Sequence, residues 1–316
     1  MMLKEACKRI LTTSMGVQED ETVLIVTDTE LHDIGATLFE TARPLCREAL
    51  LMTMNPRSSH GEEPPPAIAA AMQHAHVILM PTVMSLSHTK ARGDACTRGA
   101  RVGSMPHVTR EMLARMSKAD FNEIERYANT WADLLSKSSM VRIVSKNGTD
   151  LSFSIAGRPG NADGGVFTHK GAFGNIPSGE AFVAPVEGTA NGTLVIDGSI
   201  DVVGIVQSPI VITVKDGLAV TFEGGPDAKK LEEALMKFGP EARNIAELGI
   251  GINSAATLSG NTLEDEKIKG TVHIALGDNS TFGGTVSAPS HLDGLIMNPT
   301  MYLDGEMVIE DKKWKI

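Results

Sequence analysis

ETVLIVTDTELHDIGATLFETARPLCREALLMTM, residues 21–54, is the stretch that decides the fold of the first part of the chain. Its first ten residues form the apolar run of a buried strand, residues 33–49 have the pattern of a helix, and residues 50–54 are apolar again. A second helix is predicted at 65–75 and a third strand at 76–84. This βαβαβ order predicts an open, parallel-type sheet covered by helices.

The texture of the chain changes near residue 140, after two further predicted helices at 105–116 and 120–137. Short apolar runs broken by Gly, Asn and Asp follow, and the turn sequences KNGTD and KDG predict hairpins. One more helix is predicted at 226–239, and a last hairpin at 301–316. This part is therefore predicted to be a mixed, largely antiparallel β (α+β) structure.

The length of the chain favours two domains. At 316 residues it exceeds the size at which a single hydrophobic core is usual. We therefore predict an α/β protein with an N-terminal open α/β domain at 1–139 and a C-terminal domain at 140–316. The second domain contains all the residues that we expect to bind metal and carry catalysis.

Composition excludes several classes of function. Hydrophobic residues make up 42% and charged residues 22%, as in ordinary globular proteins. The net charge is -10 and no basic stripe is present, so a nucleic-acid partner is not expected. No run of eighteen apolar residues predicts a membrane span. Cys7, Cys46 and Cys96 are widely spaced and odd in number, which predicts a reducing, cytoplasmic location.

The stretch GTVHIALGDNSTFGGTVSAPSHLDG, residues 270–294, holds the first metal-ligand candidates. In a strand, His291 and Asp293 would point to the same face because side chains alternate. His273 is a third candidate in an apolar strand. Two imidazoles and a carboxylate suit Zn, Fe, Mn or Co, with positions left for water or substrate. The alternative is that these histidines only bind backbone carbonyl groups.

Two glutamates upstream extend this set. Glu180 stands in GNIPSGEAFVAP, residues 174–185, and Glu247 in AELGIGIN, residues 246–253. We expect Glu247 at the end of a helical or coil segment, directly before a Gly-rich turn. Each glutamate would then lie where a loop meets an apolar run and could present its carboxylate to a cleft. The alternative is that both are surface residues.

Five motifs carry a resemblance to a known family. In order, they are GNIPSGEAFVAP, NGTLVIDGSI (191–200), AELGIGIN, EKIKGTVHIALGDN (266–279) and SHLDG (290–294). Their order and wording are similar to the metal-binding domain of the aminopeptidase T family of metallopeptidases, which are leucyl aminopeptidase-like.

That resemblance implies a metal-dependent hydrolase that removes N-terminal residues with a water activated by two metal ions. The ions would be Zn, Co, Mn or Mg, the substrate a small peptide or another small molecule, and the protein a homodimer. One of the two glutamates would also act as the general base. The residues implied as ligands are Glu180, Glu247, His273, His291 and Asp293.

The sequence also departs from this family. Members typically have a Tyr seven residues after the first histidine, where this chain has Ser280, and the chain is shorter. A serine hydroxyl cannot replace the phenol. Ring-cleaving dioxygenases for dihydroxypyridines, which are similar to the same superfamily, are therefore the alternative. A single Fe(II) would be held by His273, His291 and Asp293. Having both Glu180 and Glu247 favours the hydrolase, since one iron needs no such additional carboxylates. A non-catalytic scaffold or sensor is the third hypothesis.

Substrate contacts are predicted at three positions. SHTKAR, residues 87–92, follows a predicted strand and so lies at a carboxyl strand end, where open α/β sheets bind ligands. His88 and Arg92 could contact a substrate carboxylate there, and Ser280 is a further candidate. The alternative is that the basic cluster caps a helix or pairs with acidic neighbours.

Overall fold

The computed structural model describes residues 2–316 and divides the chain into two compact units. The first unit runs to Glu123 and includes Gly165–Ser178, and the second contains Ile124–Gly164 and Gly179–Ile316. The domain boundary between residues 139 and 140 stays a prediction, which limited proteolysis would test. None of the helices in the described part of the chain has the length and hydropathy needed to cross a membrane.

The elements are numbered in chain order. The helices are α1 (Met2–Arg9), α2 (His32–Ala42), α3 (Pro66–Met72), α4 (Lys90–Thr97), α5 (Arg110–Met116), α6 (Phe121–Lys137), α7 (Pro226–Phe238) and α8 (Thr262–Asp265), with a π-helical turn at Ile10–Ser14 and a 3₁₀ turn at Pro240–Arg243. The strands are β1 (Thr22–Asp28), β2 (Glu48–Met54), β3 (Val77–Thr82), β4 (Arg101–Pro106), β5 (Met140–Ser145), β6 (Asp150–Ser154), β7 (Asn161–Asp163), β8 (Phe173–Asn175), β9 (Glu180–Val183), β10 (Asn191–Ile196), β11 (Ser199–Ile200), β12 (Gly204–Ile205), β13 (Ile210–Lys215), β14 (Leu218–Glu223), β15 (Ile245–Gly251), β16 (Val272–Gly277), β17 (His291–Ile296), β18 (Pro299–Leu303), β19 (Glu306–Glu310) and β20 (Lys313–Trp314).

The first unit is built on a five-stranded parallel sheet in the order β2-β1-β3-β4-β8. Every residue of β3 is buried, and in β1 only Thr22 is not. Central strands of a parallel sheet are covered on both faces, which explains why their sequences are continuously apolar rather than alternating. The βαβαβ order read from residues 21–84 is therefore confirmed.

Two details of the first unit differ from the expectation. The helix predicted at 33–49 ends at Ala42, because Pro44 has no amide hydrogen to continue it. Glu48 pairs with Thr22 in the sheet instead. Strand β4 was not predicted, since its sequence RVGSMP contains a glycine. A Cβ at Gly103 would lie 2.8 Å from Leu79 Cδ2, so close packing explains the glycine.

The second unit contains two antiparallel sheets. The eight-stranded sheet has the order β14-β13-β10-β6-β5-β18-β19-β20, and the seven-stranded sheet has the order β12-β11-β17-β16-β15-β9-β7. The hairpins predicted around KNGTD, around KDG and at 301–316 are present as β5–β6, β13–β14 and β18–β19. The α/β fold class, with an open parallel sheet followed by a largely antiparallel part, is confirmed.

The expectation for the segment around Glu247 is wrong. AELGIGIN is not a helical or coil segment before a turn, because β15 runs through it and all seven of its residues are buried. Its glycines serve close packing: Cβ atoms at Gly249 and Gly251 would lie 1.9 Å from His273 Nε2 and 2.1 Å from the Ile268 carbonyl oxygen. Glu247 therefore projects from the interior of a central strand.

Candidate metal centre

Four neighbouring strands of the seven-stranded sheet carry the five predicted ligands. These strands lie in the order β17, β16, β15, β9. His291 and Asp293 are on β17, His273 is on β16, Glu247 is on β15, and Glu180 is the first residue of β9. The antiparallel pairing of these strands brings residues that are far apart in sequence onto one part of the sheet.

The register of the strands decides which side chains meet. Ala275 is opposite Glu247 on one side and Asp293 on the other. Because directly opposed residues share a face, these three form a row across the sheet, and the single methyl group of Ala275 leaves room between the two carboxylates. His273 is opposite Gly249, and the close approach of its imidazole to this glycine leaves no room for a side chain there.

The imidazoles and carboxylates lie within a few ångströms of one another. His273 Nε2 is 3.3 Å from Glu180 Oε2, 3.3 Å from Glu247 Oε1 and 4.0 Å from Asp293 Oδ1. His291 Nε2 is 3.5 Å from Glu247 Oε2 and 3.4 Å from Asp293 Oδ1. Glu247 therefore lies between the two imidazoles, one oxygen toward each. The structure brings all five predicted ligands together.

The polar atoms of this cluster fit a divalent cation. Glu180 Oε2 and Asp293 Oδ1 are buried and accept no hydrogen bond from any residue within 2–316. His291 Nδ1 is 2.7 Å from the carbonyl oxygen of Asp278, to which it can donate its hydrogen. That contact leaves the Nε2 lone pair facing carboxylates, which is how metal-binding histidines are oriented by their outer hydrogen bond. A cation between these atoms would satisfy both the carboxylates and the imidazole.

Three overlapping sets of residues have ligand atoms that all lie within 4.8 Å of one another. The first set is Glu180, Glu247 and His273, the second is Glu247, His291 and Asp293, and the third is Glu266, His273 and Asp293. Buried His, Glu and Asp side chains that could hold metal are thus present.

Glu266 was not among the predicted ligands. It stands in the charged run EDEK, which is typical of an exposed segment, yet its carboxylate is buried. Its position in the EKIKGTVHIALGDN motif was the available signal.

The carboxylates of the cluster favour positive charge on the two imidazoles or between the side chains. Burial lowers the pKa of His273, but the carboxylates of Glu180 and Glu247, each 3.3 Å from its Nε2, outweigh burial and raise that pKa well above its usual range. Burial likewise lowers the pKa of His291, and the charge of Asp293 overcomes this and raises it. Burial raises the pKa of the Glu247 carboxyl. Protons on the imidazoles and a metal ion are two ways to supply the same charge.

Asp201 supports the cluster from outside and was also missed. Its Oδ2 accepts a hydrogen bond of 2.9 Å from the backbone amide of Asp293, and its Oδ1 accepts one of 2.6 Å from the Thr262 hydroxyl. Burial, followed by the charge of Asp293, raises the pKa of Asp201 to about 6. These bonds fix the strand position that carries Asp293.

The three residues predicted to touch substrate lie elsewhere in their units. Ser280 is exposed, and its hydroxyl donates to the Asp278 carboxylate. Arg92 donates to the Ser87 carbonyl oxygen at 2.7 Å, and its guanidinium carbon is 4.2 Å from the centre of the Phe173 ring. His88 is exposed, just before the start of α4. Contact of these residues with a substrate stays a prediction.

A comparison with known families decides between the candidate activities. A family model described as "NicX: 2,5-dihydroxypyridine 5,6-dioxygenase" matches residues 2–315. This chain belongs to the NicX family. A 2,5-dihydroxypyridine 5,6-dioxygenase of Pseudomonas putida is 26% identical over 257 residues, which are 77% of this chain and 72% of that protein.

Solved structures share the fold of this NicX family member. A 2,5-dihydroxypyridine dioxygenase from Pseudomonas putida KT2440 superimposes with a TM-score of 0.84 at 21% identity, covering 99% of this chain and 96% of that one. Wild-type AmpT from Thermus thermophilus superimposes with a TM-score of 0.73 at 14% identity, covering 100% of this chain and 99% of that one. The resemblance to aminopeptidase T is therefore one of fold.

The main functional expectation is corrected by these findings. The chain was expected to be a metallo-aminopeptidase-like hydrolase, and membership of the NicX family overturns that assignment in favour of the dioxygenase alternative. The hydrolase was favoured because Glu180 and Glu247 add two carboxylates to the predicted ligand set. In the structure, Glu180 Oε1 is bound by the ammonium group of Lys267 at 2.5 Å, so only Oε2 of this carboxylate faces the cluster.

Proposed function

We propose that this protein is an Fe(II)-dependent ring-cleaving dioxygenase that acts on 2,5-dihydroxypyridine. The observation that carries the proposal is the match of the NicX family model over residues 2–315. The cluster of His273, His291 and Asp293 supports it independently, because two imidazoles and one carboxylate suit a non-haem Fe(II) centre. The reaction inserts both atoms of dioxygen across the C5–C6 bond of the ring.

The proposed iron ligands are the Nε2 atoms of the two histidines and the carboxylate of Asp293, with Glu247 close to both imidazoles. When bound, Fe(II) supplies open coordination positions and the redox chemistry that dioxygen needs. The bond from His291 Nδ1 to the Asp278 carbonyl oxygen fixes the orientation of that imidazole. The Asp201 carboxylate holds the backbone at Asp293.

Glu247 is the proposed proton acceptor. A hydroxyl group of a dihydroxypyridine would have to lose a proton on activation, and a nearby carboxylate could accept it. The Glu247 carboxylate is buried and has one oxygen near each imidazole, and burial raises its pKa, which makes it a better proton acceptor. Glu247→Gln keeps the shape of the side chain but removes this acceptor.

The test is oxygen consumption by the purified protein after anaerobic loading with Fe(II). Addition of 2,5-dihydroxypyridine is expected to start oxygen uptake together with loss of the absorbance of the aromatic ring. The 2,3- and 3,4-dihydroxypyridine isomers serve as matched controls and should react far more slowly. If the loaded protein consumes no oxygen with any of the three, the proposed activity is wrong.

The expected assembly and location extend the proposal. We propose that the protein is a homodimer in the cytoplasm. The dimer is implied by the resemblance to the aminopeptidase T family, and the location by the odd number and wide spacing of the cysteines. Light scattering coupled to size-exclusion chromatography tests the first part, with twice the chain mass of 33.6 kDa as the expected result.

A further inference from the structure

Lys267 is a charged side chain that lies wholly inside the second unit. Its exposed fraction is 0%, and its ammonium nitrogen is 2.5 Å from Glu180 Oε1, within hydrogen-bonding distance of Glu266 Oε1, and 3.9 Å from Asp163 Oδ2. Its backbone is fixed as well, because the Lys267 carbonyl oxygen accepts a 2.7 Å bond from the amide of Asn253. The lysine is therefore held in place at both ends.

A buried ammonium group is strongly unfavourable unless opposite charges surround it. Here two carboxylates contact it directly, and both belong to the metal centre. The sequence motif EKIKGTVHIALGDN contains this lysine five residues before the start of the apolar strand β16. The proposed reaction gives Lys267 no part in binding substrate or in moving a proton.

Lys267 contacts a member of two of the three ligand sets and no member of the other one. It binds Glu180, a member of the first set, and Glu266, a member of the third. One carboxylate oxygen of each residue, Oε1, contacts the ammonium group. Apart from these two, the sets contain Glu247, His273, His291 and Asp293, and the second set, Glu247, His291 and Asp293, has no member in contact with Lys267.

A cation in the first or the third set would lie one carboxylate group away from the ammonium. Two cations at that distance repel each other strongly in a buried site, where screening by water is weak. A metal ion in the first or the third set would also compete with Lys267 for the carboxylate of Glu180 or Glu266. A cation bound by His273, His291 and Asp293, the proposed iron ligands, shares no ligand with Lys267. The arrangement thus favours one cation and disfavours a second.

We propose that Lys267 is an internal cation that limits this centre to one divalent metal ion. The inference rests on the proposed function in one respect, namely that the centre holds metal. Lys267 is a positioning residue, because it acts through Glu180 and Glu266 and not on the substrate. It also explains how a cluster with so many carboxylates can serve a one-metal reaction.

The experiment counts bound metal in the full chain. Wild-type protein and the Lys267→Met variant are stripped with a chelator, titrated anaerobically with Mn(II), desalted and analysed for metal per chain, with electron paramagnetic resonance to detect coupling between neighbouring ions. Wild type is expected to hold one ion with an isolated signal. Lys267→Met, which frees two carboxylate oxygens and removes a positive charge, is expected to hold two ions with a coupled signal.

The matched control is Lys229→Met, since Lys229 lies on the exposed face of α7 with 78% of its side chain exposed. It is expected to hold one ion. A Lys267→Met variant that is folded and still holds one ion overturns the inference, whereas the metal centre itself stands. Wild type that binds no Mn(II) overturns the proposed metal centre and the inference together.

A measurement on wild type alone keeps the inference open to refutation if the variant does not fold. Native mass spectrometry with a large excess of Mn(II) should show a single specific ion per chain. A second specifically bound ion in wild type overturns the proposed limit directly.

Discussion

Replacing Gly249 by alanine should dislodge a metal ligand without touching any ligand residue. The added methyl carbon would lie 1.9 Å from His273 Nε2 and 2.1 Å from its Cε1 atom. Ordinary contact begins at 3.4 Å, so the imidazole has to move by about 1.5 Å. Metal–ligand distances tolerate only about 0.2 Å. Nε2 therefore leaves its place between Glu180 and Glu247.

The expected loss follows from that displacement. Changes to groups that merely orient a ligand lower metal affinity by about 10- to 100-fold, so moving the ligand itself should lower it by at least about 100-fold. Crowding of the buried strand should also destabilise the fold by about 1–3 kcal/mol. The variant remains folded in this range and can be measured.

The assay is a titration of metal-free protein with Fe(II) or Mn(II), together with urea unfolding. Gly93→Ala is the matched control, because a Cβ at Gly93 in α4 would meet nothing within 4 Å. The control should bind metal as wild type does and be slightly more stable, since alanine favours helix. A folded Gly249→Ala variant with wild-type metal affinity would refute the assignment of His273 as a ligand.

Two further changes test the two units separately. Ala275→Val places two methyl groups between Glu247 and Asp293, and the same titration should show at least about a 10-fold loss of metal affinity. Glu21→Gln removes the buried partner of Arg101, whose nitrogens lie 2.8 and 2.6 Å from the carboxylate, and should lower the free energy of unfolding at pH 7 by about 3 kcal/mol. Burial raises the pKa of Glu21, but the Arg101 bonds outweigh it and lower that pKa below 4.5, so this stability is complete above pH 4.5 and is lost as the pH falls through the folded value. Urea unfolding of both proteins from pH 7 to pH 3 should show the difference shrink, and a constant difference would contradict the assignment.

The sequence predicted three of the five strands of the first sheet, β1, β2 and β3, because their apolar runs are visible in the sequence. The continuous apolar runs of β1 and β3 can be read without any knowledge of partners. By contrast, AELGIGIN was misread because glycine usually signals a turn. The true reason for Gly249 is the imidazole of His273 on the next strand, and such a contact exists only after the strands have paired.

The five ligand candidates were predicted from the sequence, but Glu266 and Lys267 were not. His291 and Asp293 are two residues apart in one strand, so their shared face follows from the sequence. Lys267 and Glu266 stand in a charged run that is typical of a solvated surface, and only the fold shows that they are buried. The activity was misassigned because His and carboxylate side chains suit the metal centres of hydrolases and of oxygenases alike. Ser280, in place of the tyrosine expected of a peptidase, was the sequence signal that favoured the dioxygenase.

The most direct test of the central claim is isotope labelling of the product. Protein loaded with Fe(II) is given 2,5-dihydroxypyridine under ¹⁸O₂, and the ring-opened product is analysed by mass spectrometry, with His291→Ala as the control that should lose metal and activity. Incorporation of both labelled atoms from one dioxygen molecule is the predicted result. A product that takes its oxygen from water, or full metal content and turnover in His291→Ala, would contradict the account.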